Sequence, residues 1–272
     1  MPRAHDNGGS NVRVSFVIPT RNQGSFLRQC IDSCLQQRVD DREIVVIDGA
    51  STDDTIEVLK SYGDAITWRS EPDSGQSDAI NKGIRFARGE LIAWINSDDY
   101  YTSPDAIPAL LGELDSDVSC DIAYGDGVRV DVEGRTLGTF TSRRIDRAEE
   151  IVTHGPSFVM QPSLVFRREL FLAAGGLDEA LHYAMDYDLW VRMFSRARHT
   201  RYVARPIACA RYHDDAKSVN AMGAQIREVC RIKARHALRM RLGLVDLVRL
   251  QVGVAALVAY FIAVRLGLKK AT

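Results

Sequence analysis

Carboxylates, amides and hydroxyls gather at three places in the chain, each directly after an apolar run. Pro19-Thr20-Arg21-Asn22 follows Val12 to Ile18, Gly49-Ala50-Ser51-Thr52-Asp53-Asp54 follows Glu43 to Asp48, and Asn96-Ser97-Asp98-Asp99 follows Glu90 to Ile95. Asp, Ser, Thr and Asn also cap helices, and for Asp53-Asp54 capping is the simpler expectation, because both lie where a helix should begin. Asp98-Asp99 differs: it ends an apolar run, and Tyr100-Tyr101 follows instead of a helix start. Two adjacent carboxylates repel unless something positive sits between them, and carboxylate oxygens suit hard cations such as Mg²⁺ and Mn²⁺. Opposite unit charges about 4 Å apart interact by about 4 kcal/mol at an effective dielectric near 20. Each ~1.4 kcal/mol gained only in the transition state is roughly tenfold in rate. An ion on this pair is therefore sufficient to help a diphosphate depart.

The runs that would position these groups read as strands alternating with helices. Val12 to Ile18, Glu43 to Asp48, Ala65 to Arg69 and Glu90 to Ile95 are short and apolar. Between them lie a helix capped by Ser25 with Leu27, Cys30, Ile31, Cys34 and Leu35 inward, one from about Asp54, and one opened by Ser77 or Asp78. This alternation predicts an α/β fold with a parallel sheet, in which ligands bind beyond the carboxyl ends of the strands. After residue 115 the pattern loosens. Short strands are expected at 121–124, 127–132 and 136–141, extended chain at 158–166 and 201–211, and helices at 168–174, closed by Gly175-Gly176, and 186–197.

Composition narrows the class. The chain has 272 residues, 46% apolar and 26% charged, which excludes a disordered or fibrous chain. Five cysteines without a CxxC pair argue against a disulfide framework or zinc ribbon and point to a reducing compartment. The first residues contain no apolar stretch of the secretory kind. The net charge of −1 conceals an asymmetry of −9 over residues 1–220 and +8 over 221–272. An acidic body argues against nucleic-acid binding. No GxGxxG follows any strand, which disfavours a dinucleotide-binding dehydrogenase.

Four segments in order, VIPTRN (17–22), VVIDGASTDDT (45–55), EPDSGQSDAINKG (71–83) and WINSDD (94–99), together with MDYDLWVRM (185–193), resemble the family 2 glycosyltransferases of GT-A fold. The likeness runs from Val14 to about Asn220. It implies a Rossmann-like, mostly parallel sheet flanked by helices and an inverting transfer of a sugar from a nucleotide-diphosphate donor, commonly a UDP-sugar, with Mn²⁺ or Mg²⁺. Residue by residue, it places Pro19, Thr20 and Asn22 in the nucleotide pocket. It makes Asp48 the reader of the base, whose imide N–H a carboxylate can accept, with Ser51 in the same loop. Gly75, Asp78, Asn81 and Lys82 fall beside the ribose and diphosphate, though Lys82 also reads as a solvated helix charge. Asp99 is implied as metal ligand, Asp98 as ribose or metal-shell contact, and His213 in ARYHDDAKS as a third ligand. Asp186 is implied as the general base, with a plain helix cap as the competing reading. Gln161-Pro162-Ser163 resembles the segment lining the acceptor cleft. Two departures stand out: Asn96 where many members carry an earlier Asp, and Met185 where Glu usually precedes the base.

The organisation expected is therefore a loose tail (1–11), a catalytic domain (12–220) with a donor half (12–105) and an acceptor half (106–220), and a basic, apolar helical segment (221–272). Residues 250–264 carry no charge over 15 positions, roughly 22 Å of helix, against a hydrocarbon core of about 30 Å. Snorkelling by Arg265 would extend the stretch to Leu268. Such a tail beside basic residues implies attachment to the inner face of a membrane, by spanning or lying on it, with a dimer contact as the alternative. The partners implied are a nucleotide sugar and a saccharide or lipid-linked acceptor, in cell-surface polysaccharide or glycolipid synthesis. A non-catalytic sugar-nucleotide scaffold and, at greater distance, a sugar nucleotidyltransferase stay open.

Overall fold

A computed structural model of the chain describes residues 12–154, 158–212, 222–240 and 242–265. The expected tail at 1–11 and His213 lie outside the described residues. Strands β1 (Val14–Thr20), β2 (Arg42–Asp48), β3 (Thr67–Ser70) and β4 (Leu91–Trp94) run side by side in the order β3-β2-β1-β4, every pair parallel. Helices α1 (Gly24–Leu35), α2 (Thr55–Ser61) and α3 (Gln76–Phe86) make the crossovers. Strands covered on both faces need near-continuous apolar sequence, and β1 is buried at every position. Val14, Phe16 and Ile18 pack with Leu27, Cys30 and Ile31 on one side of the sheet, and Val17 packs with Ile80 and Ile84 on the other.

The second half corrects the expectation of a mostly parallel sheet. Strands β5 (Tyr100–Tyr101), β6 (Cys120–Val130), β7 (Thr136–Phe140), β8 (Leu164–Arg167) and β9 (His199–Arg211) continue the same sheet as β4-β8-β6-β9-β5, with β7 paired to β6. β8 is antiparallel to β4 and β6, β7 to β6 and β5 to β9, whereas β6 and β9 are parallel. A parallel neighbour needs a crossover of a dozen or more residues, and the five residues between β6 and β7 allow only a hairpin, turned at Gly134 with φ +82°. The two short strands expected at 121–132 are one strand, and Gly125 and Gly127 sit at bulges against β9.

Helices α4 (Ala106–Ser116), α5 (Ala148–His154), α6 (Arg168–Ala173), α7 (Met185–Phe194), α8 (Met222–Met240) and α9 (Leu244–Arg265) complete the fold. The expected glycine stop after α6 is present, with Gly175 at φ +86° and Gly176 N–H bonded to Phe171 O at 3.1 Å. α1 starts at Gly24 without a cap from Ser25; Asp53 instead accepts N–H groups from both Gly24 and Thr55 at 3.1 Å, joining the starts of α1 and α2. Burial pushes the Asp53 carboxyl up, but these bonds outweigh it and hold it below its usual range.

The C-terminal helices pack on the rest of the chain. Val229 and Ile232 of α8 enter the core beside Trp190. Lys233 and His236 are buried, and Lys233 Nζ donates to Thr153 O at 3.3 Å. Burial lowers the Lys233 ammonium below its usual pKa. Arg235 pairs with Asp178 and Asp188, so part of the basic excess meets acids earlier in the chain. α9 lies on α5 and α8, with Asp246 bonded to Arg147 and Leu250 against the core. Among the described residues no helix is long and apolar enough to cross a membrane.

α3 lies close on the parallel strands. A Cβ added at Gly83 would meet Val17 Cγ1 at 2.6 Å and Ile47 Cγ1 at 3.2 Å. Gly83→Val is therefore expected to lower stability by about 1–3 kcal/mol through overpacking, read as a reduced urea midpoint at unchanged slope.

Candidate active site

The loops after β1 and β2 interlock. Asn22 and Ala50 both hold positive φ, +52° and +56°, a conformation rare for residues other than glycine and costly for alanine. Two bonds fix them: Asn22 N–H to Ser51 Oγ at 2.7 Å and Thr52 N–H to Asn22 Oδ1 at 2.8 Å. Pro19 lies in register with Ile47. Asp48 is fully buried and accepts from Ser51 Oγ, Ser51 N–H (3.1 Å) and Ser70 Oγ (2.6 Å). A carboxylate offers about four acceptor sites, so three are engaged within the loop wall itself. The neighbouring Thr20 Oγ1 is buried with no protein partner among the described residues. Such an orphan is costly unless a ligand or water answers it.

Asp98 and Asp99 follow β4, with Asp99 almost fully buried. Burial first, and the Asp98 charge second, push the Asp99 carboxyl well above its usual range, against the N–H of Arg211, which it accepts at 2.9 Å. Arg211 was not singled out by the sequence, yet it organises this corner. Its guanidinium donates to Asp98 O (3.0 Å), Asp131 O (3.2 Å), Val132 O and Gln29 Oε1 (2.6 Å), and lies over the rings of Phe26 and Tyr100. The guanidinium's hydrogen bonds go to these oxygens, while its charge, with a hydrogen bond from Asn96, draws the Asp99 carboxyl down against its burial. Two oxygen donors of like charge, one desolvated, fit a hard divalent cation. Among the described residues no group of three or more His, Cys, Asp and Glu is placed to hold a metal, and the expected third ligand His213 lies outside them.

The first turn of α3 joins this corner to the second half of the chain. Gln76 Nε2 donates to Asn96 Oδ1 at 2.9 Å, and the next residue, Ser77, donates to Met185 Sδ at 3.1 Å. Asn96 also accepts from Trp94 Nε1 (3.2 Å) and donates to Gln161 Oε1 (3.1 Å), and Gln161 Nε2 returns to Trp94 O (2.8 Å). An amide here can donate and accept at once, which a carboxylate could not. Gly75 caps α3 at φ +129°. Asp78 accepts Ser74 N–H at 3.0 Å and pairs with Lys82, which also pairs with Glu71 at 3.0 Å. Burial raises the Asp78 carboxyl, but these bonds outweigh it and lower it. Asn81 is buried with its amide bonded to Leu177 N–H and O and to Glu179, so it ties α3 to the loop after α6.

Asp186 sits in the first turn of α7, one residue after Met185. Its Oδ1 accepts Tyr187 N–H at 2.7 Å. Burial raises its carboxyl above the usual range, and nearby Glu228 adds to the rise. Asp188 does not share its setting. It is buried among Arg192 (2.8 Å), Arg235 and His236 (2.8 Å). Burial opposes its ionisation, but these cations and bonds bring it down to about 2. Asp188 and Trp190, 5.9 Å from Trp94, therefore pack instead of lining a pocket. Glu228 accepts the N–H groups of His182, Tyr183 and Ala184; its place in a basic helix gave no sequence signal for this.

Comparison with known proteins agrees with this geometry. Residues 15–173 match the model of the family described as Glycosyl transferase family 2. An uncharacterized glycosyltransferase of Rickettsia typhi is 31% identical over 225 residues, covering 79% of this chain and 68% of that protein. The hyaluronan synthase of Pasteurella multocida is 27% identical over 215 residues, 78% of this chain but only 22% of that much longer protein. In fold, the chain is similar to S. aureus TarS 1-349 in complex with UDP-GlcNAc, with TM-score 0.68 at 19% identity, covering 83% of this chain and 66% of that one. It is also similar to a mannosyltransferase of Pyrobaculum calidifontis in complex with GDP-Man and Mn²⁺, with TM-score 0.63 at 18% identity, covering 93% and 76%. Pairing a buried carboxylate corner after β4 with an acidic helix start across α3, on this sheet and with this sequence match, the chain belongs to glycosyl transferase family 2.

Proposed function

We propose that the chain is an inverting, metal-dependent glycosyltransferase that moves a sugar from a UDP-sugar to a saccharide or lipid-linked saccharide acceptor in cell-surface polysaccharide or glycolipid synthesis. One observation carries this reading. Adjacent residues of α3, Gln76 and Ser77, bond respectively to Asn96, two residues before Asp98, and to Met185, one before Asp186. The segment that carries the carboxylate pair and the helix start that carries Asp186 are thus both tied to the first turn of α3.

The chemistry follows. The donor base and ribose lie against the Asn22–Ser51 rim, where the orphan Thr20 hydroxyl awaits a partner. Asp98 and Asp99 would hold a divalent cation, which supplies charge neutralisation to the departing diphosphate when bound. Asp186 takes the proton of the acceptor hydroxyl as that oxygen bonds to the anomeric carbon. The bond from that carbon to the diphosphate oxygen breaks on the opposite face, and its electron pair leaves with the nucleoside diphosphate. A base must be ionised to act, so a raised Asp186 pKa places the acid limb of the rate above the ordinary aspartate range.

A hydrolysis and binding panel with UDP-, GDP- and dTDP-sugars, with and without Mn²⁺ or Mg²⁺, tests this. Metal-dependent release of one diphosphate is expected, abolished in Asp99→Asn and reduced by about 10²–10⁴-fold in Asp186→Asn. Donor binding without turnover, indifferent to Asp186→Asn, would instead favour the scaffold reading. Arg211→Lys keeps the charge but loses the planar fork. It should lower stability by about 2–3 kcal/mol through lost buried hydrogen bonds and raise the Mn²⁺ concentration needed for half-maximal release.

The peripheral location is supported by α9, whose Leu244, Val245, Val248 and Val252 are exposed, and by exposed Arg231 and Arg239 of α8. An apolar stripe beside cations suits an anionic membrane surface. The chain should sediment with phosphatidylglycerol vesicles and not with phosphatidylcholine vesicles, and Val248→Asp with Val252→Asp should release it.

A further inference from the structure

We infer that Glu228, carried on α8, is a positioning residue for Asp186: its carboxylate gathers the backbone that leads into α7 and so fixes the helix start from which Asp186 works. This rests on reading Asp186 as the general base. Glu228 Oε1 accepts His182 N–H at 2.9 Å, and Oε2 accepts those of Tyr183 at 2.7 Å and Ala184 at 2.6 Å. Three successive N–H groups converging on one anion form a nest, here filled from another helix. α7 needs the help: the residue before its first turn is Ala184, and no side chain caps it. Met185 offers a sulfur to Ser77 where a second carboxylate would otherwise stand. The negative partner of Asp186 therefore arrives from α8.

α8 is itself held firmly enough to serve. Val229 and Ile232 are in the core, Lys233 reaches Thr153 O, and Arg235 and His236 bond Asp188 two residues beyond Asp186. On α7, Asp188 pairs with Arg192, and on α8, Arg235 and His236 also bond Asp188 while Lys233 bonds Thr153 O. α8 further carries Arg227, Cys230, Arg231 and Arg239, α5 carries Glu149 and Glu150, α3 pairs Asp78 with Lys82, and the loop contributes His182 and Tyr183. Of these elements' charges it is Glu228 that acts on Asp186, as a like charge. It holds the backbone and, in addition, keeps the base basic.

The test uses the full chain with Glu228→Ala, Glu228→Gln, Asp186→Asn and the Glu228→Gln/Asp186→Asn double variant, probed with UDP, UDP-GlcNAc and Mn²⁺. Amide exchange in a peptide spanning 182–184 should accelerate at least about tenfold in Glu228→Ala as its bonds are lost, with β1 unchanged. UDP affinity should stay within about twofold, while kcat for donor hydrolysis falls about tenfold in Glu228→Gln. The acid limb of its rate should move to lower pH, because removing a neighbouring negative charge lowers the Asp186 pKa. In the Asp186→Asn background Glu228→Gln should cost nothing further. Unchanged exchange, full additivity with Asp186→Asn, or lost UDP binding at intact kcat would overturn the inference. Should Glu228→Ala unfold, Glu228→Gln keeps the shape and one acceptor oxygen and carries the test. If the wild-type chain neither binds nor cleaves UDP-GlcNAc, the donor reading fails for that sugar, and the exchange rates alone decide the role of Glu228.

Discussion

Two adjacent carboxylates at the end of a buried strand are the constraint around which the rest is arranged. Asp99 is desolvated and lies beside another negative charge, an arrangement that favours protonation of one of the pair unless positive charge is supplied. The protein provides part of the compensation through the backbone N–H and the charge of Arg211 and a hydrogen bond from Asn96, while the guanidinium itself bonds the carbonyls of Asp98, Asp131 and Val132 and Gln29. That choice has two effects. It binds the end of β9, α1 and the β6–β7 turn to the carboxylate corner. It also leaves the Asp99 carboxyl well above its usual range, because these contacts offset only part of its burial and of the Asp98 charge.

The parallel half of the fold was legible because its inner strands are buried on both faces and must therefore be written as apolar runs, as in Val14–Ile18 and Glu43–Asp48, while the exposed edge strand β3 is marked only by its place between two helices. The antiparallel half was not. Its strands owe their partners to distant pairings, such as Tyr100 with Cys209 and Leu91 with Arg167, which no local period encodes. The site divides along the same line. Asp48, Asp98, Asp99 and Asp186 were visible as carboxylates at element ends. Arg211 and Glu228 were not, because a basic strand end and an acidic residue in a cationic helix look like surface until their partners, 113 and 44 residues away, are known.

Charge patterning is incomplete for a related reason. The +8 of the C-terminal segment reads as one outward field, yet Lys233 and Arg235 turn to Thr153 and Asp188, with His236 beside them. A buried charge network of this kind adds little net stability, since desolvation offsets most of the attraction. What it fixes is registry. Asp188 with three positively charged or hydrogen-bonding partners admits one registry between α7 and α8, and that registry is what puts Glu228 opposite His182–Ala184.

Seen this way the departures from the family's usual residues are linked. Asn96 replaces an acid where a group must donate to Gln161 and accept from Gln76 and Trp94 together, which a carboxylate cannot do. Met185 replaces an acid where Ser77 needs a soft, apolar neighbour in the interface between α3 and α7. Both residues meet the first turn of α3, the place where the two halves of the chain touch. That turn carries its own acid, Asp78, which is held within the same region by Ser74 N–H and Lys82. With Asp78 already paired there, an amide at 96 and a thioether at 185 let Gln76 and Ser77 bond across the junction without bringing a further negative charge against it.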